Sequence, residues 1–324
     1  QLRVTVKACP KVPLFVINGF YMSMREKYTL PNANLYWLTV EFDPEKLSWE
    51  DFRGKVLGGT DPAESAKGSL RKHIYENWKS LGLEFQPNVG ENGMHGSASP
   101  FEAMAERLNW LKTDLKQDPF AKAMLDAGIK KADLEAWTKD PQVPIDGKNG
   151  SLFDSVEDTN STDCLAKLAK IGGSSKTPGA YTKNEAFLFI KPHAVTDATK
   201  AYVKKALAEK GIKIVKEGTL NGTTIGNDKL IDNHYYAIAN KASLTKPVDL
   251  NVPDKGKAEF KSTFGLSWED ALKQNKVFNA MDGCAKLEMT GDQMESQWAI
   301  TKKAKKLVKF GGGFYAGLVE PLKD

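Results

Sequence analysis

The feature that most constrains this chain is a single histidine set among glycines and hydroxyl residues. Residues 91–99 read Glu-Asn-Gly-Met-His-Gly-Ser-Ala-Ser, and apolar residues at helical spacing begin near Pro100. Glycine and asparagine favour turns, because their backbones tolerate conformations that other residues avoid. His95 is therefore predicted to lie on a turn between a strand and a helix, with glycines beside it and hydroxyls after it.

Length and composition indicate a globular protein. The chain has 324 residues, enough for two domains or for one domain with large insertions. Its apolar fraction of 41% and charged fraction of 27% are typical of soluble proteins, and a net charge of +5 is too small to indicate nucleic-acid binding.

Cysteine usage and hydropathy indicate where the chain resides. Cys9, Cys164 and Cys284 lie far apart without metal-ligand spacing, which predicts neither disulfides nor a zinc site and favours a reducing, cytoplasmic setting. No apolar run is long enough to span a bilayer, so no membrane partner is expected. Because the first residue is Gln1 rather than Met, we expect the natural start to be missing or processed.

Local patterns divide the chain into two halves. Residues 35–42 are rich in aromatic and β-branched side chains and predict a strand, whereas residues 186–220 predict a strand, a helix and a second strand. Residues 139–180 are rich in Pro, Gly, Ser, Asp and Asn, which predicts a linker with one short helix. The expected division is therefore 1–138, a linker at 139–180, and 181–324.

The histidine stretch has the residue types needed for attack on phosphorus. A nucleophilic imidazole must be neutral and held in one tautomer by a partner on its other nitrogen. Glu106 lies eleven residues on, about three helical turns away, and would be that partner. Arg71, Thr60 and a lysine would meet the phosphate oxygens. The plainer interpretation is a structural histidine, which is the commoner role of a lone one.

Two runs resemble the nucleoside diphosphate kinase family. Residues 57–71, Leu-Gly-Gly-Thr-Asp-Pro-Ala-Glu-Ser-Ala-Lys-Gly-Ser-Leu-Arg, resemble its nucleotide-binding loop. Residues 92–99 resemble its active-site signature, Asn-x-x-His-Gly-Ser-Asp-Ser. The resemblance implies that His95 is the phosphohistidine and Glu106 its supporting carboxylate. It makes Thr60, Arg71 and Asn92 ligands of phosphate and ribose.

Further resemblances lie in the second half. Residues 187–195 resemble the family's first strand and its Ile-Lys-Pro-Asp-Gly-Val motif, which implies that Lys191 binds phosphate. The run 233–235 resembles the later His-Tyr pair, placing Tyr235 near the phosphates. Residues 314–319 resemble the segment whose aromatic stacks on the base, so Tyr315 is a candidate and Tyr21 its rival. Both tyrosines are equally explained as core aromatics.

The order of these motifs is reversed relative to the family, where the lysine motif comes first. Either the chain is a permuted kinase whose halves close on each other, or it holds the end of one tandem unit and the start of the next. The similarity of residues 15–21 to residues 308–315 favours the tandem arrangement slightly.

Departures from the family pattern bear on activity. Ala98 replaces an acidic residue, Gly54 stands where an arginine is expected although Arg53 and Lys55 flank it, and His193-Ala194 replaces Asp-Gly. A lysine-rich helical insertion, about 241–307, lies outside the resemblance.

The resemblance implies an α+β fold of the ferredoxin-like type, an antiparallel sheet with flanking helices, enlarged by helical insertions. It implies phosphoryl transfer from a nucleoside triphosphate such as ATP to a nucleoside diphosphate, with Mg²⁺ bridging the phosphates and no metal site of the protein's own. It also suggests a homo-oligomer. The alternative is an inactive nucleotide-binding or structural module in a flagellar or cytoskeletal assembly, a role that the insertions and Ala98 would suit.

Overall fold

A computed structural model describes residues 12–145, 147–311 and 313–322 of the chain. They form two compact units. The continuous unit is Tyr28–Leu230, and the split unit comprises the described residues up to Lys27 and from Ile231 onward. Each unit combines antiparallel strand pairs with helices, which confirms the predicted α+β class. No helix among the described residues is long and apolar enough to cross a membrane. Cys9 lies outside the described residues.

The strands, in chain order, are β1 (Leu14–Ile17), β2 (Asn34–Phe42), β3 (Met94–Gly96), β4 (Gln142–Ile145), β5 (Lys148–Ser151), β6 (Asn184–Ile190), β7 (Lys213–Asn221), β8 (Val277–Asn279), β9 (Leu307–Gly311) and β10 (Phe314–Val319). The α-helices are α1 (Tyr21–Thr29), α2 (Trp49–Asp51), α3 (Leu70–Glu76), α4 (Pro100–Trp110), α5 (Pro119–Asp126), α6 (Lys131–Trp137), α7 (Leu152–Val156), α8 (Ser161–Ile171), α9 (Asp197–Glu209), α10 (Gly222–Asn227), α11 (Leu230–His234), α12 (Tyr236–Ala239), α13 (Asp254–Phe264), α14 (Trp268–Lys273), α15 (Ala280–Leu287) and α16 (Gly291–Lys303). π-Helical turns cover Phe52–Leu57 and Asn240–Leu244, and 3₁₀ turns cover Pro192–Ala194 and Pro247–Asp249.

The continuous unit is built on a four-stranded sheet of order β3-β6-β2-β7, in which every neighbouring pair is antiparallel. Strand β6 is apolar on both faces, and each of its residues from Ala186 to Ile190 is 0% exposed. Leu188 on one face packs in the core formed with α3 and α9, whereas Phe189 on the other face contacts Trp110 of α4, with ring centroids 5.3 Å apart. The central strand is therefore covered on both sides, as its apolar sequence requires.

Residues 111–183 form an inserted segment between α4 and β6. The hairpin β4–β5 and helices α5 to α8 share an apolar core with Phe101 and Met104 of α4. The predicted linker, 139–180, thus contains a hairpin and two helices, because its polar residues form turns and caps; Ser151, for example, caps α7. The predicted boundaries at 138 and 181 differ from those of the units, since β6 and β7 pair with β2.

The split unit has a second sheet, of order β8-β1-β10-β9. Strand β1 pairs antiparallel with β10, so that Leu14 lies opposite Val319, and parallel with β8. Asn18, at φ 51°, donates a 2.9 Å hydrogen bond from Nδ2 to Gly313 O and accepts one of 3.0 Å from Tyr315 N. The predicted helical insertion, 241–307, contains α13 to α16 and also strand β8.

Candidate active site

His95 is the middle residue of β3, at the edge of the sheet in the continuous unit. It lies opposite Phe189 of β6, and the two rings stack with centroids 4.6 Å apart and planes 23° from parallel. The His95 side chain is 15% exposed. Strand pairing and stacking together restrict the ring to one orientation, which is what a nucleophile aimed at a bound group requires.

Glu106 contacts the ring from helix α4. Its Oε1 lies 2.5 Å from His95 Nε2, and its Oε2 accepts a 2.5 Å hydrogen bond from Ser97 Oγ. Ser99 begins this helix by accepting a bond from Glu102 N, and Pro100 follows at the first helical position. With the helix start fixed at Pro100, Glu106 lies about two turns along α4, where its side chain reaches the His95 ring. The Glu106 side chain therefore fixes the Nε2 side of the ring.

Burial shifts the pKa values of both groups of this pair. Burial, followed by the positive charges of Lys191, Arg71 and Arg53, lowers the pKa of His95 well below its usual value. Burial raises the pKa of Glu106 to about 8, against the opposing effects of the Ser97 hydrogen bond and Arg107. A neutral imidazole at pH 7 has the lone pair that nucleophilic attack needs.

The raised pKa of Glu106, about 8, predicts how stability depends on pH. Between the ordinary glutamate pKa and about 8, the folded chain keeps a proton that the unfolded chain has lost, so stability falls as pH rises through this window. One such group changes the free energy of unfolding by at most about 1.4 kcal/mol per pH unit. We expect Glu106→Gln, which cannot ionise, to lose less stability between pH 6.5 and pH 8, as measured by urea unfolding.

Glu84→Gln is the matched control, because Glu84 is an exposed glutamate of the same unit. Its pH dependence should follow that of the wild type. Equal slopes for Glu106→Gln and the wild type would contradict the raised pKa.

Two cations approach β3 from other elements. Arg71 of α3 donates from Nε and Nη2 to Met94 O, at 3.0 and 2.9 Å, and from Nη1 to Gly58 O at 2.9 Å. Lys191 directly follows β6, is 8% exposed, and donates from Nζ to Gly90 O at 3.2 Å. Both side chains are thus held by backbone carbonyls of the histidine strand and its neighbouring loops, within one chain.

Asn92 joins the predicted nucleotide loop to the histidine stretch. Its Nδ2 donates a 3.0 Å hydrogen bond to Thr60 O, so Thr60 is engaged through its backbone while its side chain lies at an exposed position. Asn92 is 2% exposed, and its Oδ1 has no hydrogen-bond partner among the described residues. A buried amide oxygen without a donor is costly, and a ligand hydroxyl or amine would satisfy it.

The three predicted tyrosines belong to the split unit. Tyr21 is 2% exposed and its hydroxyl donates a 3.2 Å hydrogen bond to Asp232 Oδ1, so its ring is a core aromatic rather than a base-stacking surface. Tyr315 is half-buried, with its ring centroid 6.2 Å from that of Phe20. Tyr235 is also half-buried, beside His234 at 4.6 Å. The continuous unit brings together the other candidates, which are His95, Glu106, Lys191, Thr60, Arg71 and Asn92.

Two of the positions that depart from the family pattern, Ala98 and His193, have hydrogen-bond partners. The Ala98 N–H donates a 3.1 Å hydrogen bond to Glu102 Oε2 from the first turn of α4. His193 Nε2 accepts a 3.1 Å hydrogen bond from Gly93 N. That Glu102 would cap the start of α4 was not predicted from the sequence. A serine followed three residues later by a glutamate is a known helix-start signal, so this role was predictable.

Arg53 and the inserted segment form the contact that sequence reasoning missed entirely. Arg53 Nη1 lies 2.7 Å from Glu157 Oε1 and 2.7 Å from Asp158 Oδ1. Gly54, beside it, is exposed, and no described residue beyond its own helical turn has an atom within 4 Å of where a Cβ would lie. Arg53 and these two carboxylates are more than a hundred positions apart and share no motif, so nothing in the sequence indicated their contact.

Comparison with known proteins gives a match over a short stretch of the chain. A nucleoside diphosphate kinase of Beijerinckia indica subsp. indica is 41% identical over 56 residues, which are 17% of this chain. The match covers 32% of that protein, so the chain spans about one third of the length of the curated relative. No family model matches the chain, and no solved structure matches it.

Proposed function

We propose that this protein transfers the γ-phosphoryl group of a nucleoside triphosphate to a nucleoside diphosphate through a phosphorylated His95. The observation that carries the proposal is the 2.5 Å contact of His95 Nε2 with Glu106. Burial, with the charges of Lys191, Arg71 and Arg53, lowers the pKa of this histidine. A neutral, oriented imidazole surrounded by cations suits attack on a polyphosphate.

The transfer takes two steps. Nδ1 of His95 attacks the γ-phosphorus, the bond to the bridging β–γ oxygen breaks, and a nucleoside diphosphate leaves. The contact between Nε2 and Glu106 holds the ring in one orientation during both steps. A terminal phosphate oxygen of a second diphosphate then attacks the phosphorus, which restores the imidazole. Arg71 and Lys191 offset the negative charge of the transferred group.

The topology of the continuous unit supports the permuted arrangement. Taken from Asn184, the chain runs β6, α9, β7, and the other half of the sheet runs β2, α3, β3. Placed one after the other, these two halves give the β-α-β-β-α-β succession of a ferredoxin-like fold. The connection that would join β7 to β2 is absent, and the chain joins β3 to β6 instead. His95 and Lys191 then belong to one chain and one unit, so a neighbouring repeat is not needed to bring them together.

The remaining ligands follow from the contacts around Asn92. Its unpartnered Oδ1 would accept a hydrogen bond from a ribose hydroxyl, and Thr60 and Arg71 would border the phosphates. Mg²⁺ would enter as part of the nucleotide substrate. Tyr235 and Tyr315 stay predictions for phosphate and base contacts, as does a homo-oligomer.

Labelling with γ-³²P-ATP and Mg²⁺ tests the proposal. We expect the full chain to take up label that acid removes and alkali does not, and that added nucleoside diphosphate carries off as triphosphate. Absence of label, or label that survives acid, would overturn phosphohistidine transfer. Thermal protection by nucleotide without label would instead identify a binding module, the predicted alternative.

A further inference from the structure

We propose that Glu157 and Asp158 of the inserted segment are positioning residues that hold Arg53 as a ligand for the transferring phosphoryl group. The proposal rests on the proposed function and assigns part of it to a segment outside the family resemblance. The family pattern has an arginine at the position of Gly54. In this chain the neighbouring Arg53 would supply that positive charge.

The guanidinium is held at one end only. Nη1 donates to both carboxylates, each at 2.7 Å, and the Arg53 side chain is 28% exposed. Among the described residues, Nε and Nη2 have no hydrogen-bond acceptor. An arginine has five donors in a planar fork, so three remain for phosphate oxygens.

The backbone that carries these carboxylates is fixed next to the end of β3. The Asp158 N–H donates a 3.0 Å hydrogen bond to Ala98 O, three residues after His95. Asn160 Oδ1 accepts from Trp49 N at 2.9 Å and from Asn184 Nδ2 at 2.8 Å. Residues 157–160 therefore connect the turn after the histidine, the helix before Arg53 and the start of β6.

The helix that leads to Arg53 is also tied to the histidine strand. Trp49 is 0% exposed and its Nε1 donates a 3.2 Å hydrogen bond to Ser97 O. The π-helical turn Phe52–Leu57 then carries Arg53. π-Helical turns within helices often occur at functional sites. Burial is the main cause of the lowered pKa of His95, and Arg53 has the smallest effect of the three cations that add to it.

The test is the single-turnover rate of phosphoenzyme formation in the full chain with γ-³²P-ATP and Mg²⁺. We expect Arg53→Gln to lower the maximal rate by at least about 10-fold, since one charge-stabilising donor is lost in the transition state. Affinity for ADP should change less, because ADP lacks the transferring group. Arg53→Lys should restore part of the rate. Lys55→Gln, which removes an exposed cation two residues away, should match the wild type.

A mutant cycle tests the positioning role. The double variant Glu157→Gln/Asp158→Asn should slow labelling by about 10-fold through misplacement of the guanidinium. Adding Arg53→Gln to it should cause little further loss, because the carboxylates act through Arg53. Asp154→Asn, an exposed carboxylate on the preceding helix, is the control.

The pH dependence of the labelling rate separates an electrostatic role of Arg53 from a purely structural one, because a structural role would leave the pKa of His95 unchanged. Loss of the Arg53 charge should shift the acid limb of the labelling rate to higher pH, and Lys55→Gln should leave it in place.

The outcomes separate the two proposals. A wild-type chain that takes no label refutes the proposed function. A wild type that takes label, with Arg53→Gln as fast as Lys55→Gln, refutes the role of Arg53 alone. Faster labelling by the carboxylate variant would show that Glu157 and Asp158 sequester Arg53, which also overturns the inference.

Discussion

Replacement of His95 by asparagine is expected to abolish the phosphoenzyme and to lower phosphoryl transfer by at least about a thousandfold, as removal of a nucleophile does in other enzymes. The asparagine side chain is polar and small enough for the space beside Phe189, but its amide cannot attack phosphorus. Label incorporation from γ-³²P-ATP and the transfer rate to a diphosphate would both be measured.

His73→Asn is the matched control for this experiment. His73 belongs to the same unit, where its ring stacks on Tyr202 with centroids 3.6 Å apart, and it should not carry label. Both variants should fold, as shown by circular dichroism and thermal unfolding. Retention of acid-labile label in His95→Asn would place the phosphohistidine elsewhere, at His73, His193 or His234, and would remove the role given to His95.

Replacement of Asp118 by alanine is expected to destabilise the chain by about 3–5 kcal/mol, because it leaves the buried charge of Arg107 unpaired. Arg107 Nε donates to Asp118 Oδ2 at 2.7 Å, and the two side chains are 8% and 0% exposed. Asp118 also caps α5 by accepting from Phe120 N and Ala121 N, each at 3.0 Å. Urea unfolding would measure the loss.

Two further variants make the ion-pair prediction specific. Asp126→Ala, at an exposed position at the end of the same helix, should change stability by no more than about 0.5 kcal/mol. The apolar pair Arg107→Met/Asp118→Leu should recover most of the stability lost by Asp118→Ala, since no charge is then buried alone. A loss below about 1 kcal/mol for Asp118→Ala would mean that Arg107 finds another partner or water.

Local sequence was sufficient for the part of the site that lies on α4 and the strand before it. Glu106 lies on α4, the helix that directly follows β3, and its side chain is in contact with that of His95. Local patterns also predicted β2 and the succession of β6, α9 and β7, because alternating and apolar runs are set by which faces a strand buries. In each case the deciding interactions span only a few turns of chain. The α+β class itself was implied by the resemblance.

The rest depended on contacts between distant residues. Lys191 lies near the histidine strand because β3 pairs with β6, and no local pattern states which strands pair. The inserted segment was predicted as a linker because proline, glycine and serine are common to linkers, hairpin turns and helix caps. The three tyrosines were chosen by resemblance, which carries no information on burial, and Tyr21 is in a core.

The site residues of the continuous unit come from one uninterrupted stretch of sequence, Tyr28–Leu230, whereas the split unit needs both ends of the chain. Asn34 and Asn221, near the two ends of that stretch, pair across β2 and β7. The backbone also approaches closely there, because a Cβ on Gly222 would lie only 2.0 Å from the carbonyl oxygen of Leu30. Entry to and exit from the stretch are thus neighbours. Because its two ends are close together, this stretch has the geometry that insertion of a domain into a surface loop of another protein requires.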